Sequence, residues 1–405
     1  MNLYKIAWRN LWRNRKRTLI TIASVFFGVL WAVLLKSLQT GSFDNMVDNM
    51  VKFTSGYIQI QNTDYKQTKS LNNSFVPDTS LLSLLEQNED IHIYTPRLKS
   101  FALAASEEQS FGTAVFGVRP EIEEQISNFS QWIVEGAYLA ASDNGIIIGD
   151  ILAKNLDVVP GDTLALIGQG YHGVQAAGLF PIRGLLRFPI PDLNKQILYM
   201  GIETAQDFFQ APGLVTSLVL MVDGPSMVEP VVDQLKNYNN PEIITYSWEE
   251  LQPQLVQLIA GKTSSGKIFI GILFILVGFG ILGTFIMMVA ERKRELGIMI
   301  AIGMQRVRLS AILFLESLLI GALGVFCSYV FCLPLIGYFV KNPIRVGGEM
   351  AKVWGDMGFE PVIMFSGAME VFSGPAITVF IISIIISVYP ITSVIGMKAV
   401  DALRA

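Results

Sequence analysis

Four apolar stretches constrain this 405-residue chain more than any other feature: Leu19–Leu35, Ile268–Ala290, roughly Leu309–Val340, and Pro375–Met397. A bilayer core about 30 Å thick takes around 20 apolar residues in a helix, and each stretch reaches or nears that length. Charged residues make up 16% of the chain, against about 25% in soluble domains. The expectation is a polytopic α-helical membrane protein with four transmembrane helices.

The basic residues set the expected orientation, because Lys and Arg concentrate in cytoplasmic loops. Residues 1–18 hold six, loop 291–310 five and tail 398–405 two, whereas loop 341–373 holds three beside four acids. Both termini and loop 291–310 are therefore expected in the cytoplasm. The large region after the first span is expected outside. A basic stretch before an apolar run imitates a signal peptide, but Lys36-Ser37-Leu38-Gln39-Thr40 lacks a small-x-small cleavage pattern. An uncleaved first span is expected. Cys327 and Cys332 both fall in the third stretch, so the outer region must fold on its own core without disulfides.

Tyr4, Ala7, Trp8, Leu11 and Trp12 share one helical face opposite Lys5, Arg9 and Arg13. That pattern predicts an interfacial helix with tryptophans at headgroup level. Beyond Leu35 the apolar spacing continues through Phe43, Met46, Val47, Met50 and Val51. A helix from 19 to 53 would be about 50 Å long, exceeding the hydrocarbon core. Trp248–Ala260 is also helical in pattern despite Pro253, so a stalk is expected before the second span, with a break at Gly261 or Gly266 as the alternative. In between, residues 56–61, 111–118, 145–149, 163–168, 184–188, 196–200 and 217–222 read as strands. Thr79–Gln87, Gly149–Leu156, Glu203–Phe209 and Ser226–Tyr238 read as helices. The mixture predicts a large α+β extracytoplasmic domain between the first and second spans.

Enzymatic chemistry finds no support. AGKTSSG (260–266) imitates the end of a phosphate loop, but Val256 stands where the earlier glycine belongs. GQGYHG (168–173) lacks the strand–helix frame of a dinucleotide site. His92 and His172 are too few and too far apart for a metal cluster. The spans also lack the ionisable residues that polar transport pathways show, with one exception, Glu316. It is expected to pair with Arg306 or Arg308, with a proton relay as the alternative. Small residues (Ser24 and Gly28; Gly271, Gly278, Gly280 and Gly283; Gly321 and Gly324) allow close helix approach. Packing within one chain and packing in a dimer both remain open.

Residues 291–308, ERKRELGIMIAIGMQRVR, open with charge, and GIMIAIGMQRVR continues as an amphipathic helix before the third span. A turn needs two to eight residues. This segment is more than twice that, long enough for a lever on which a partner could push.

RELGIMIAIGMQRVRL (294–309) resembles the helix–loop segment of FtsX-like ABC transporter permeases, the group containing MacB and the lipoprotein-releasing LolC and LolE. AWRNLWRNRKRTLITIASVFFGV (7–29) is similar to their start, and NGIIIGDILAKNLDVVPGDTLAL (144–166) to their outer-domain motif. YPITSVIGMKAVDALRA (389–405) is similar to their fourth span and terminus.

The resemblance implies a permease dimer, homo- or heteromeric, with two cytoplasmic ATPase subunits that bind ATP and Mg. This chain itself would bind no cofactor and have no nucleic-acid partner. It implies mechanotransmission, with Glu295, Gly297, Ile298, Ala301, Gly303 and Arg306 as ATPase-coupling residues. MacB carries its ATPase at the N-terminus of the same chain, so a separate ATPase and a LolC/LolE-like arrangement in a bacterial inner membrane are expected here. In that branch, the dimer's first and second spans form a cavity for lipoprotein acyl chains. The candidates are Trp31, Leu34, Leu35 and Leu38 facing Phe269, Ile272, Leu273 and Leu276, and the alternative is that they face bulk bilayer or pack within one subunit. The expected function is lipoprotein release to a periplasmic carrier. MacB-like efflux of a peptide, toxin or drug and FtsX-like regulation of a cell-wall hydrolase are the alternatives. The expected organisation is an amphipathic helix (1–18), first span and stalk (19–53), periplasmic domain (54–247), second stalk and span (248–290), coupling segment (291–308), third span (309–340), outer loop (341–374), fourth span (375–397) and tail (398–405). The outer loop is long for the family.

Overall fold

The computed structural model describes residues 3–13, 15–140, 143–236, 238, 240–356 and 361–397. The basic tail 398–405, with the terminal part of the family-like motif, lies outside the described residues. The chain divides into two compact units: residues 1–45, 258–345 and 362–405 in one, 46–257 and 346–361 in the other.

The first unit is helical. After the helix Leu3–Arg13, four helices among the described residues are long and apolar enough to cross a membrane. Span 1 starts at Arg15 and its helix runs to Met50, span 2 is Pro253–Glu291, and span 3 is Arg306–Lys341. Span 4 is Met369–Ile386 followed by Val388–Ile395. Pro390 explains that interruption, because it has no N–H for the Ile386 carbonyl one turn back. The span 2 helix is continuous through Gly261 and Gly266, so neither glycine breaks it. The expected helix from Trp248 to Ala260 is interrupted instead at Gln252 (φ −122°, ψ 55°), since the residue before a proline is pushed out of the helical region.

Val25, Val29 and Val33 of span 1 recur every four residues and pack with Val277, Ile281 and Phe285 of span 2 in one core. Spans 3 and 4 add Leu313, Ile320, Val371 and Val379, and the flanking helices add Leu11 and Leu296. The small residues are the close-approach points. A Cβ on Gly28 would collide with Val277, one on Gly324 with Val25, and one on Gly321 would crowd Ser383. These three are used within the chain, whereas Gly271 and Gly283 have open space beside them.

The second unit carries ten strands: β1 (Ile58–Asn62), β2 (Ile91–Ala105), β3 (Ser110–Val118), β4 (Ile133–Gly136), β5 (Ile146–Gly149), β6 (Thr163–Gln169), β7 (Gln175–Leu186), β8 (Ile197–Gly201), β9 (Ser217–Val222) and β10 (Ile243–Ser247). Their order is β10-β1-β9-β2-β3-β8-β5-β7-β4, and β6 joins β2 to β7. Strands β2, β3, β8, β5, β7 and β6 thereby close a ring. The 15-residue β2 belongs to both parts: Ile91–Arg97 pair with β9, Leu98–Ala105 with β3, and Ala102–Ala105 also with β6. Most pairs are antiparallel, while β3–β8 and β5–β7 are parallel.

Seven expected strands and four expected helices are present with small shifts of boundary. Strand β2 was not expected, nor were β4, β10, the first half of β7 and the helix Pro120–Ser127. Pro96 explains the first omission. Proline argues against a central strand but is tolerated where one edge is free, and among the described residues Ile91–Arg97 of β2 pair only with β9.

An aromatic core holds the ring: Phe53, Phe116, Phe129, Phe188 and Tyr199 are all buried together. Beside it lies an ion pair. Arg97 Nε and Nη2 each donate to one oxygen of Glu123 at 2.7 Å, and Nη1 donates to the Thr54 carbonyl at 2.8 Å. Thr54 belongs to the π-helical turn Val51–Ser55 that follows the span 1 helix. Gly56 ends that turn at φ +66°, where a side chain would also strike Val219.

Candidate functional site

Span 2 ends at Glu291, and a second helix, Lys293–Ala301, begins after Arg292 (φ −96°, ψ 3°). The amphipathic segment was expected to be helical as far as Arg308. The helix stops at Ala301, because Gly303 takes φ +98° and turns the chain. The Ile302, Gly303 and Met304 amides bond back to the Ile298, Ile300 and Met299 carbonyls. Arg306 is already the first residue of span 3, and its Nη1 donates to the Ile395 carbonyl at 2.6 Å.

Of the expected coupling residues, Gly297 is buried, while Ile298, Ala301, Gly303 and Arg306 are exposed. The most prominent apolar side chain of the turn is one sequence reasoning did not name, Ile302, 81% exposed. Met299, Ile302, Met304 and Arg308 line a hollow of about 430 Å³ with Leu3 of the first helix. Glu295 bonds to Arg13, which holds its carboxyl below the usual range.

The segment is fastened by polar contacts as well. Arg17 Nη1 meets Glu291 at 2.7 Å. Glu316, buried in span 3, accepts from Arg292 Nη1 at 2.8 Å and from Asn10 Nδ2 at 2.7 Å. The expected partners Arg306 and Arg308 are thus corrected. They lie on the same helix eight or more residues away, about 12–15 Å at 1.5 Å per residue, beyond side-chain reach. Asn10 was legible as a polar residue beside the buried Ala7 and Leu11, but its target was not.

Spans 1 and 2 approach through Gly28 with Val277 and through Gln39, which donates to the Lys262 carbonyl at 3.1 Å. Trp31, Leu35 and Leu38 are exposed, as are Phe269, Ile272 and Leu276. Leu34 and Leu273 are half-buried, and Leu34 packs on the helical core. Six of the eight therefore offer an apolar surface outward.

Four apolar spans with a large α+β domain inserted after the first define a class of polytopic membrane protein. Residues 18–238, more than half of the chain, match the MacB-like periplasmic core domain, and residues 267–399 match the FtsX-like permease C-terminal region. The chain belongs to the FtsX-like, MacB-type family of ABC transporter permeases. It is a membrane protein with an extracytoplasmic domain, and membership implies an ATPase partner.

An uncharacterized ABC transporter permease of Methanocaldococcus jannaschii is 20% identical over 424 residues, covering 100% of this chain and 98% of that protein. The pyoverdine export ATP-binding/permease protein PvdT of Pseudomonas fluorescens is 21% identical over 369 residues, covering 86% of this chain and 54% of that protein. Among solved structures, the periplasmic region of MacB from Actinobacillus actinomycetemcomitans aligns at 13% identity with a TM-score of 0.36, covering 52% of this chain and 97% of that one. The extracellular domain of YknZ from Gram-positive bacteria aligns at 11% identity and 0.34, covering 47% and 99%.

Proposed function

We propose that this chain is a mechanotransmitting permease, driven by separate cytoplasmic ATPase subunits, that extracts lipoproteins from the membrane for a periplasmic carrier. The observation that carries the mechanical reading is the character of the spans. Their one acid within the apolar stretches, Glu316, is buried and paired, so the described residues of the spans offer no ionisable lining of the kind a hydrophilic solute's path shows. The 291–308 segment is the input, with Ile302 and the Gly303 turn as the surface an ATPase grips. Both termini and that segment then lie in the cytoplasm, in line with the distribution of Lys and Arg.

The exposed apolar row on spans 1 and 2 is the proposed cargo surface in a dimer. Each CH₂ of an acyl chain buried there would gain about 0.8 kcal/mol. A photocrosslinker at Leu35 or Ile272, both exposed, should capture a lipoprotein before nucleotide is added and release it afterwards. Crosslinks to phospholipid alone, unchanged by ATP, would sink the lipoprotein assignment. A second reading, efflux, is favoured by the match to a pyoverdine exporter. It predicts crosslinks to a soluble cargo on the outer domain instead.

The mechanical reading has its own test at Gly303. A β-branched residue is strained at φ +98° by about 1–3 kcal/mol, so Gly303→Val should distort the turn. Insertion should be intact, and stimulation of the ATPase by the permease should be lost. Unchanged stimulation would make the segment an ordinary turn.

A further inference from the structure

We infer that Asn10, Arg292 and Glu316 are positioning residues forming a joint that makes the N-terminal helix, the 293–301 helix and span 3 move together. The inference rests on the mechanical reading above for its purpose, but its geometry stands alone. Glu316 lies ten residues into span 3, about 15 Å along the helix, and its side chain is 2% exposed. An isolated carboxylate there would be costly. Its two oxygens are taken by different elements: Oε1 by Asn10 of the N-terminal helix, Oε2 by Arg292.

Arg292 occupies the one-residue break between span 2 and the 293–301 helix. A break of that kind is where the short helix would swing freely. Here the residue at the break is instead held through its side chain to span 3. Its Nε makes no hydrogen bond and stands 3.6 Å from Glu295, leaving room for a small shift without loss of the Glu316 contact.

Stability alone does not call for this arrangement. Leu11, Leu296, Leu309 and Leu313 already pack in the same core, and apolar replacements of buried ion pairs are often as stable or more so. Directional bonds add a fixed register between elements that smooth apolar faces would let slide. A load applied at Ile302 would then reach span 3 and the N-terminal helix without slack.

The test uses the full-length permease with its ATPase in lipid nanodiscs. Spin labels carried by a ketone-bearing unnatural residue replace Arg294 on the 293–301 helix and Val330 on span 3, both exposed, and leave Cys327 and Cys332 in place. Without nucleotide, Asn10→Ala and the double variant Arg292→Met with Glu316→Leu should each widen the distance distribution, by about twofold for the double variant. The double variant should melt no lower than the unsubstituted complex. Unchanged widths in both would overturn the joint, as would widening only in step with lost thermal stability. If ATP moves nothing in the unsubstituted complex, the mechanical reading fails instead, and the nucleotide-free widths still judge the joint.

Discussion

Two buried arginine–glutamate pairs serve different surroundings. Arg97–Glu123 is closed: both carboxylate oxygens face one guanidinium, and the side chains are 3% and 1% exposed. Arg292–Glu316 is shared: one oxygen goes to the arginine, the other to an asparagine from a third element, and Arg292 keeps 10% exposure with Glu295 nearby. The first locks β2 to the helix Pro120–Ser127 and to the turn after span 1. The second links three segments while leaving its cation an alternative partner. A pair with no alternative is costly to break; a pair with one can shift.

The sharpest way to break the contrast is to remove each acid in turn. Glu123→Ala leaves Arg97 charged and enclosed, and breaking such a pair costs about 3–5 kcal/mol. Glu316→Ala should cost less, about 1–3 kcal/mol, because Arg292 can turn toward Glu295. Chemical denaturation of the purified protein, read separately in the outer domain and in the membrane helices, checks the ranking; equal losses would erase the distinction.

Lys99 sharpens the comparison from the same strand. It is a largely buried cation with no ion pair among the described residues, its ammonium 4.7 Å from the centre of the Phe116 ring. Burial pushes its pKa down to about 8 from an ordinary 10.5. Between those values the unfolded chain holds the extra proton, so stability rises with pH across that window and is lower at pH 7. Lys99→Met should raise the denaturation midpoint at pH 7 and flatten the slope between about pH 8 and 10.5. A lower midpoint would mean that the ring contact outweighs desolvation. Replacing the Arg97–Glu123 pair by Met and Leu should leave stability within about 1 kcal/mol or above it.

The smallest effect belongs to Arg13–Glu295, where both side chains are about half exposed. Arg13→Ala should change stability by about 0–1 kcal/mol. Because Arg13 lowers the Glu295 pKa, the contact contributes above the ordinary carboxylate range and is lost as pH falls through the lowered value. Acid titration of Arg13→Ala beside the unsubstituted chain reads that difference.

These contrasts also mark what the sequence made legible. The spans were readable because about 20 apolar residues in a row have few other uses, and strands such as β5 and β9 because they are compact apolar runs. Strand β2 was hidden by Pro96, Arg97 and Lys99; Arg97 is buried and Lys99 partly so, for reasons that exist only once the strand is paired. Glu316 stood out as an acid in a span, yet its partners are 306 and 24 residues away. Local spacing carries no record of that. The Gly303 turn needed a positive φ that a glycine permits but does not announce.

Strand β2 also decides how the outer domain comes apart. A strand that supplies hydrogen-bond partners to both halves cannot leave one half intact while the other opens. Amides of β9 and β3 should therefore exchange with deuterium at the same free energy, as one cooperative unit. The ring closes through β2 and β6, residues 102–105 against 165–168, a contact far apart in sequence. Refolding should therefore be limited by that closure, with both halves gaining protection late and together.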